Sequence, residues 1–180
     1  EGWYIAKKKQ ALWRSYFVKG NLRELAVYVD GAYHGSYSDY YPSGELSSTG
    51  TMSNGLRFGW WAAYYVNGRF AWHGLFSAGN PIGTFYESYW SGSPERVGPW
   101  VEGGFESGRF VEYYNNGKKS GEGDYELGDK HGFWTEWWNS GERWRTVEYM
   151  YGSEVNPDAD ECAMAQGVWN YRKPRLRKDF

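Results

Sequence analysis

The stretch that decides the fold is GRFVEYYNNGKKSGEGDYELGDKHGFWTEWWNSG, which runs from Gly108 to Gly141. Counted from Gly108 as position zero, aromatic residues stand at positions plus two, plus five and plus six. Glycines follow at plus nine, plus fifteen and plus twenty, and an aromatic residue at plus seventeen. The same order of residue types begins again at Gly132, 24 residues later. The stretch therefore contains one complete repeat unit and the opening of the next.

The same unit recurs over most of the chain. Its position zero falls at Ala11, Gly35, Gly59, Gly83, Gly108 and Gly132. Successive starts are 24 residues apart, except that the interval from Gly83 to Gly108 is 25. Because insertions between repeats belong in loops, we place the extra residue in the loop 103–107. Gly2 and Tyr4 match the second half of a unit, which predicts a half-repeat before the first whole one.

Each unit divides into two strand-sized pieces, each followed by a turn. The first piece ends at a pair of residues that suits a tight hairpin turn needing positive φ. These first-turn pairs are Lys19-Gly20, Ser43-Gly44, Asn67-Gly68, Ser91-Gly92, Asn116-Gly117 and Ser140-Gly141. The second piece ends at Gly31, Gly55, Gly79, Gly103, Gly128 or Gly152. A helix is disfavoured because each of these frequent glycines would cost about 1 kcal/mol in a helix interior. The unit is therefore predicted to fold as strand, turn, strand, turn.

Composition indicates the same fold class. The chain has 12 tryptophans, 17 tyrosines and 9 phenylalanines beside 25 glycines, which favours a core of rings lying against glycine backbone. We expect an all-β fold, an elongated antiparallel β-meander of six 24-residue hairpin repeats plus an N-terminal half-repeat. With thirteen strands about 4.8 Å apart, this sheet would be a twisted ribbon roughly 60 Å long.

The repeated pattern also carries a family resemblance. It is clearest in the segments GWWAAYYVNG (59–68), GRFVEYYNNG (108–117), GDYELG (123–128) and GFWTEWWNSG (132–141). These segments resemble the MORN repeat, in particular its bacterial variant with a Tyr-Tyr pair and an Asn-Gly turn. The resemblance covers residues 2 to 152, and the chain departs from the pattern at Ala11, Met52, Ser88 and Val147.

The resemblance implies both a fold and a general role. MORN arrays are elongated antiparallel meanders of stacked hairpins, which agrees with the hairpin interpretation of the sequence. Members act as scaffolds and interaction modules; some dimerise, and some have been linked to membranes or lipids. The bacterial variant is often labelled antitoxin-like.

Stacked repeats place equivalent aromatic residues in rows about 10 Å apart. We expect the plus-two and plus-six rows to form the core. The plus-two row is Trp13, Tyr37, Trp61, Phe85, Phe110 and Trp134, and the plus-six row is Phe17, Tyr41, Tyr65, Tyr89, Tyr114 and Trp138. Plus five lies on the opposite face of an extended strand, so its row is a candidate binding strip. This strip is Tyr16, Tyr40, Tyr64, Tyr113 and Trp137, interrupted at Ser88.

Acidic residues recur at plus four. They are Asp39, Glu87, Glu112 and Glu136, of which the last three stand in consecutive repeats. A row of carboxylates would favour a cationic ligand or partner beneath the tyrosines. The alternative is a solvated charged row with no ligand.

After Gly152 the repeat frame fails, so we divide the chain into a repeat array, 1–152, and a C-terminal cap, 153–180. In the cap, residues 156–167 are predicted to form a short helix with Asn156 as N-cap and Gly167 as the stop. Residues 168–171 suit one more strand, and residues 172–178 form a basic tail. A basic tail is able to touch anionic lipid or nucleic acid, but a net charge of -2 favours a solvated end.

Motifs for catalysis and metal binding are missing from the sequence. It contains no G-x-S-x-G, H-E-x-x-H, C-x-x-C or phosphate-loop pattern. His34 and His131 occupy equivalent loop positions about 40 Å apart, too far to share a metal within one chain. Cys162 is the one cysteine, which leaves no disulfide within the chain. We expect no enzyme activity, no metal and no cofactor.

Three functional hypotheses remain open at this stage. The favoured one is a structural or protein–protein interaction scaffold that self-assembles through its open sheet ends into oligomers or filaments. The second is an aromatic binding module for a cationic, lipid or carbohydrate ligand. The third is an enzyme with a pocket built by loops. A nucleic-acid partner is not expected, and a membrane contact has weak support. The chain starts at Glu1 with no initiator methionine; a removed leader would mean an exported, cell-envelope protein, and otherwise we expect a cytoplasmic one.

Overall fold

The computed structural model describes residues 2–155. In that range the chain forms β-strands joined by short turns. The strands are β1 (Trp3–Ile5), β2 (Lys8–Tyr16), β3 (Leu22–Val29), β4 (Ala32–Tyr40), β5 (Leu46–Ser53), β6 (Leu56–Tyr64), β7 (Phe70–Ser77), β8 (Asn80–Ser88), β9 (Pro94–Val101), β10 (Phe105–Glu106), β11 (Gly108–Tyr113), β12 (Lys119–Glu126), β13 (Asp129–Trp137), β14 (Arg143–Met150) and β15 (Ser153–Glu154).

All the strands belong to one open antiparallel sheet in meander order. Each strand pairs with the next along the chain, except that β9 pairs with both β10 and β11. The all-β meander predicted from the period is thus confirmed. The sheet has 15 strands where thirteen were expected, because the two-residue strands β10 and β15 lie outside the pattern of two strands per unit.

The connection between β9 and β11 contains the extra residue of the fifth interval. Phe105 pairs with Val101, which leaves a three-residue loop, 102–104, where the other repeats have two residues. Gly103 and Gly104 both have positive φ in this loop, and the N–H of Gly104 donates to the carbonyl of Val101 at 3.0 Å. The insertion therefore lies in the loop predicted for it.

The first turns differ from the two-residue geometry that their pairs suggested. In the loop after β2, the N–H of Phe17 donates to the carbonyl of Asn21, and the N–H of Gly20 donates to the carbonyl of Phe17. Three residues form this loop, and Gly20 has φ of 93° while Lys19 does not have positive φ. This is a type I turn closed by a left-handed glycine, the usual three-residue hairpin. The prediction of positive φ holds for the glycine of each pair but is wrong for the residue before it.

Two-residue turns with two positive φ angles are found at the ends of the second strands instead. Asp30 and Gly31 have φ of 51° and 88°, and Asn54 and Gly55 have 50° and 83°. Such angles define the type I′ turn, whose twist matches that of the flanking strands.

In five of the six repeats an aromatic ring lies directly on a glycine, whereas in the second repeat Tyr37 lies opposite Ala26. Between β5 and β6 the pairing passes from Thr49 with Ala62 to Thr51 with Phe58, so Gly50 lies opposite three residues. The extra length brings the Trp61 ring over Gly50, where a Cβ atom would lie 2.3 Å from the ring. The same contact joins Gly74 to Phe85, Gly98 to Phe110, Gly123 to Trp134 and Gly2 to Trp13.

These rings place the core on one side of the sheet, here called the ring face. Trp61 and Trp134 are fully buried, Phe85 and Phe110 nearly so, while Tyr37 packs against their edge. The plus-two row is therefore the core from Trp61 onward. Alternation along the strands directs Trp60, Leu75 and other side chains to the opposite side, here called the open face.

The plus-six row joins neighbouring repeats by hydrogen bonds. The hydroxyl groups of four of its tyrosines donate a hydrogen bond to the backbone carbonyl of the plus-five residue in the next repeat. The bonds run from Tyr41 to Tyr64, from Tyr65 to Ser88, from Tyr89 to Tyr113 and from Tyr114 to Trp137, at 2.7, 2.7, 2.7 and 2.8 Å. The row therefore connects the repeats along the first-turn edge of the sheet. Its tyrosines are half-buried, so the prediction that this row forms part of the core is wrong for them.

The predicted cap adds little to the described structure. β15 pairs with β14 and extends the sheet by two residues past the predicted end of the array. The predicted helix 156–167, the strand 168–171 and the basic tail 172–178 lie outside the described residues.

The ring-on-glycine contact gives a matched pair of substitutions. Gly50→Ala inserts a methyl group into the Trp61 ring and is expected to lower the free energy of unfolding by about 3 kcal/mol. In Gly59→Ala the added Cβ meets open space, and the only strain comes from the positive φ of 69°. We therefore expect the free energy of unfolding to fall by about 1 kcal/mol. Ala11 already adopts φ of 59° at the equivalent position. Urea denaturation of both variants checks the order; equal losses would refute the role assigned to Gly50.

Candidate functional site

The four plus-four acids lie on the ring face. Plus two and plus four share a face, so each carboxylate stands beside the aromatic core. Across the hairpins, Glu87 pairs with Arg96 and Glu136 with Arg145. Two of the four acids therefore face a basic side chain of the neighbouring strand.

Among the cations that pair with these acids, Arg96 has a less exposed side chain than Lys130 or Arg145. Its guanidinium contacts Glu106, lies 3.6 Å from a Glu87 oxygen and stacks 4.9 Å above the Phe110 ring. Burial alone would lower the pKa of Arg96, but the carboxylates of Glu87 and Glu106 outweigh burial and raise it. Arg96 is thus a fixed cation that joins two acids and a ring.

The other acids of the row also have partners in the chain. Arg145 donates to Glu136 at 2.6 Å and continues to Glu154 at 2.5 Å. Glu112 accepts from the Tyr125 hydroxyl at 3.2 Å and lies 3.7 Å from the ammonium group of Lys130.

Asp39 accepts from the Ser48 hydroxyl at 2.5 Å. Each carboxylate of the acidic row therefore has a partner on the ring face itself.

Three cations of the ring face lie on the rings at the second-turn side of the sheet. Lys9, Arg57 and Lys130 are 4.8, 4.9 and 3.9 Å from the ring centroids of Trp13, Trp61 and Trp134. Each occupies the position two residues before a repeat start. Tyr149 is hard to ionise, because burial, followed by the carboxylates of Glu136 and Glu154, raises its pKa to about 12.

The plus-five row lies on the open face, away from the acids. Tyr16 is exposed, and Tyr40, Tyr64, Tyr113 and Trp137 are half-buried. Tyr64 stacks on Phe70 with 4.9 Å between centroids, and the ammonium group of Lys119 lies 5.7 Å from the Trp137 centroid. Within residues 2–155, the ring contacts join these residues to other neighbours and not to one another. The acidic row and the aromatic row therefore do not form one site.

A different group of apolar side chains is exposed at the middle of the open face. Phe58, Trp60, Phe70, Leu75 and Tyr86 are each 39% to 54% exposed and are here called the central patch. Trp60 lies opposite Leu75, and Tyr86 lies opposite His73 beside them. None of the five side chains is charged. Sequence reasoning missed this patch because Trp60 stands at plus one, a position whose residue type changes from repeat to repeat.

His73 lies at the centre of the central patch. Its ring centroid is 5.1 Å from Trp60, 4.9 Å from Phe70 and 4.7 Å from Tyr86. Its Nδ1 atom is buried and has no hydrogen-bond partner among the described residues. Burial lowers the pKa of His73, because the rings exclude the water that would solvate an imidazolium.

Among the described residues we find neither a metal site nor a membrane-spanning helix. In residues 2–155, no three His, Cys, Asp or Glu side chains converge as a metal site. The same part of the chain contains no helix long and apolar enough to cross a membrane. An open hollow on the surface is lined by Lys118, Lys119, Trp137, Ser140 and Gly141.

Comparison with known proteins assigns no family. No model of a known protein family matches the chain. A search of curated proteins gives no significant relative.

The buried charge network on the ring face gives a second matched test. Arg96→Met leaves Glu106 and Glu87 without their cation, and we expect the free energy of unfolding to fall by about 3 kcal/mol. Arg109→Met breaks an ion pair with Glu122 that is largely exposed on the Arg109 side, so the expected loss is below about 1 kcal/mol. Urea denaturation measures both, and a loss for Arg96→Met as small as that for Arg109→Met would contradict the structural role of Arg96.

His73 gives a pH-dependent prediction. Its folded-state pKa lies below the unfolded value of about 6.5, so its contribution to stability is present above that pH. As the pH falls from about 6.5 through the folded pKa, the unfolded chain binds the proton more readily and this contribution is lost. Between about pH 7.5 and about pH 5, the melting temperature of His73→Phe is therefore expected to fall less than that of the parent.

The exposed His34 supplies the control for this measurement. His34→Gln is expected to keep the pH dependence of the parent. If the melting temperature of His73→Phe falls as steeply as that of the parent, the assignment to His73 is wrong.

Proposed function

We propose that this chain is a non-enzymatic scaffold of the MORN type that binds protein through the open face of its sheet. One observation carries the proposal: the ring face satisfies its own rings and charges, while the open face exposes a contiguous apolar patch. The 24-residue unit, its Tyr-Tyr pairs and the hairpin meander support the resemblance to MORN repeats.

The ring face has little left to offer a ligand. The rings of Trp61, Phe110 and Trp134 are buried, and the acids and cations beside them are held by each other or by rings. A partner would have to displace these contacts before gaining its own. The ring face therefore serves the fold.

The open face has the properties of a protein-binding surface. The central patch exposes on the order of 500 Å² of apolar area, since each of its aromatic side chains shows about half of its 150–250 Å². A patch of this size matches the largest apolar patch of a typical monomer, which is often functional. Trp60 and Tyr86 belong to the residue types enriched at the centres of interfaces. Protein is therefore the partner class that the patch fits best.

One observation favours a second candidate, a module for a neutral carbohydrate. Thr51 lies opposite Phe58 on the open face, so a hydroxyl group stands next to the exposed rings of Phe58 and Trp60. Flat rings beside hydroxyl groups suit the apolar face and polar rim of a sugar. A cationic ligand has less support, because the acidic row lies on the other face and is already paired.

Site-specific photocrosslinking tests the proposal and separates the two candidates. A benzophenone amino acid replaces Trp60 in the central patch, or Val18 in an exposed turn as the control, in cells that make the protein. We expect protein adducts from position 60 and none of the same mass from position 18. The proposal fails if position 60 gives no protein adduct. Adducts to glycan alone at that position would establish the second candidate instead.

A further inference from the structure

We infer that the occupant of the central patch is a second copy of this chain, packed open face against open face. The inference rests on the proposed function, since it names the protein that the open face binds. The patch consists of Phe58, Trp60, Phe70, Leu75 and Tyr86, on strands β6 to β8.

The first argument is that the sheet lacks a second layer. A sheet with an apolar face buries that face against another layer of structure. Here the rings of the ring face bury one another, with Trp61 and Trp134 wholly inside, and so supply that layer themselves. On the open face of the described residues, the rings around His73 are covered on the sheet side alone. A second sheet about 10 Å away would cover them from the other side.

The second argument is the place of the patch along the sheet. β7 is the seventh strand of the path that runs from β1 to β15, so the patch is near its middle. A two-fold axis through Leu75 on β7 would set the patch against itself, which is the isologous contact of symmetric dimers. Trp60 lies opposite Leu75, and Tyr86 lies opposite His73, two residues away along β7, so both rings would lie near the axis and meet the patch of the second copy.

The third argument is area. Burying about 500 Å² of apolar side chain on each copy removes about 1,000 Å² from water, and the polar rim adds to this. Stable specific interfaces bury about 1,200–2,000 Å² in total. The patch alone falls just below this range, which is the size of weak, reversible interfaces, and its rim brings it closer to the range.

The fourth argument is charge. The patch brings no charged side chain to the axis, so like charges do not meet there. The nearest charges on the C-terminal side of the open face are already paired, with Arg109 and Lys119 3.0 and 2.5 Å from Glu122. Because sheets twist by about 20° per strand, two packed sheets diverge away from the axis, which leaves these strands in solvent.

Sedimentation equilibrium of the full chain, from nanomolar to high micromolar concentration, tests the inference. We expect a reversible monomer–dimer equilibrium. Leu75→Asp places a charge on the axis and is expected to raise the dissociation constant at least tenfold. Val18→Asp places the same charge in an exposed turn and is expected to leave the dissociation constant unchanged. Circular dichroism confirms that each variant keeps its strands.

A cysteine variant keeps the inference testable if Leu75→Asp fails to fold. In a Cys162→Ser background, which removes the one native cysteine, Leu75→Cys is expected to be linked into a dimer by a bis-maleimide reagent, because sheets about 10 Å apart are too far from each other for a direct disulfide. Val18→Cys in the same background is expected to stay monomeric.

Two results would overturn the second copy as the occupant. One is a parent chain that stays monomeric at every concentration. The other is a dimer that Leu75→Asp does not weaken, which would move the contact to another surface. If the parent is monomeric while position 60 still crosslinks to a different protein, the proposed function stands and this inference falls.

Discussion

The structure depends on aromatic rings that lie flat on glycine residues of the preceding strand. A single-layered sheet has no second layer to cover its apolar side chains, so the side chains have to cover one another. A ring can lie down on the backbone only where the residue beneath has no Cβ atom, as at Gly50 under Trp61 and Gly123 under Trp134. The two-residue bulge at the start of each unit supplies the length that lets the ring reach its glycine. Burial of one such ring stabilises the fold by about 3 kcal/mol, and the repeat multiplies this contribution.

The ring layer also determines where charge can be placed. Beside the rings, the plus-four residue and the plus-thirteen residue of the next strand face each other, and they vary together from repeat to repeat. Glu87 faces Arg96 and Glu136 faces Arg145, whereas Ala63 faces Trp72 and Asp39 faces Ser48. Where plus thirteen is Gly121, Glu112 turns to Lys130 and Tyr125 instead. Each repeat therefore satisfies a half-buried carboxylate locally, or replaces it by an apolar pair, because an unpaired charge against the rings would destabilise the sheet.

Counting positions within the repeat predicted what all the units share. The period, the hairpins, the insertion near Gly104 and the ring-on-glycine core follow from residue types that recur, because every unit meets the same local physics. The partners of the acids were missed, since they depend on which residues the register sets opposite each other across a hairpin. The geometry of the first turns was missed because an Asn-Gly pair fits loops of two or three residues, and loop length is decided by strand pairing.

Sequence analysis missed the central patch because Trp60 stands at a position that does not repeat. Along the plus-one row the residues are Leu12, Ser36, Trp60, Thr84, Arg109 and Phe133, which share no type. Trp60 and Trp61 are adjacent and chemically identical, yet Trp61 is buried on a glycine and Trp60 is half exposed on the opposite face. Repeated positions build the sheet, and removing their common residues would break every unit. Positions that do not repeat are free of that constraint, so an exposed tryptophan there is not required by the fold. The repeat therefore does not account for this apolar area, and the proposed binding surface would.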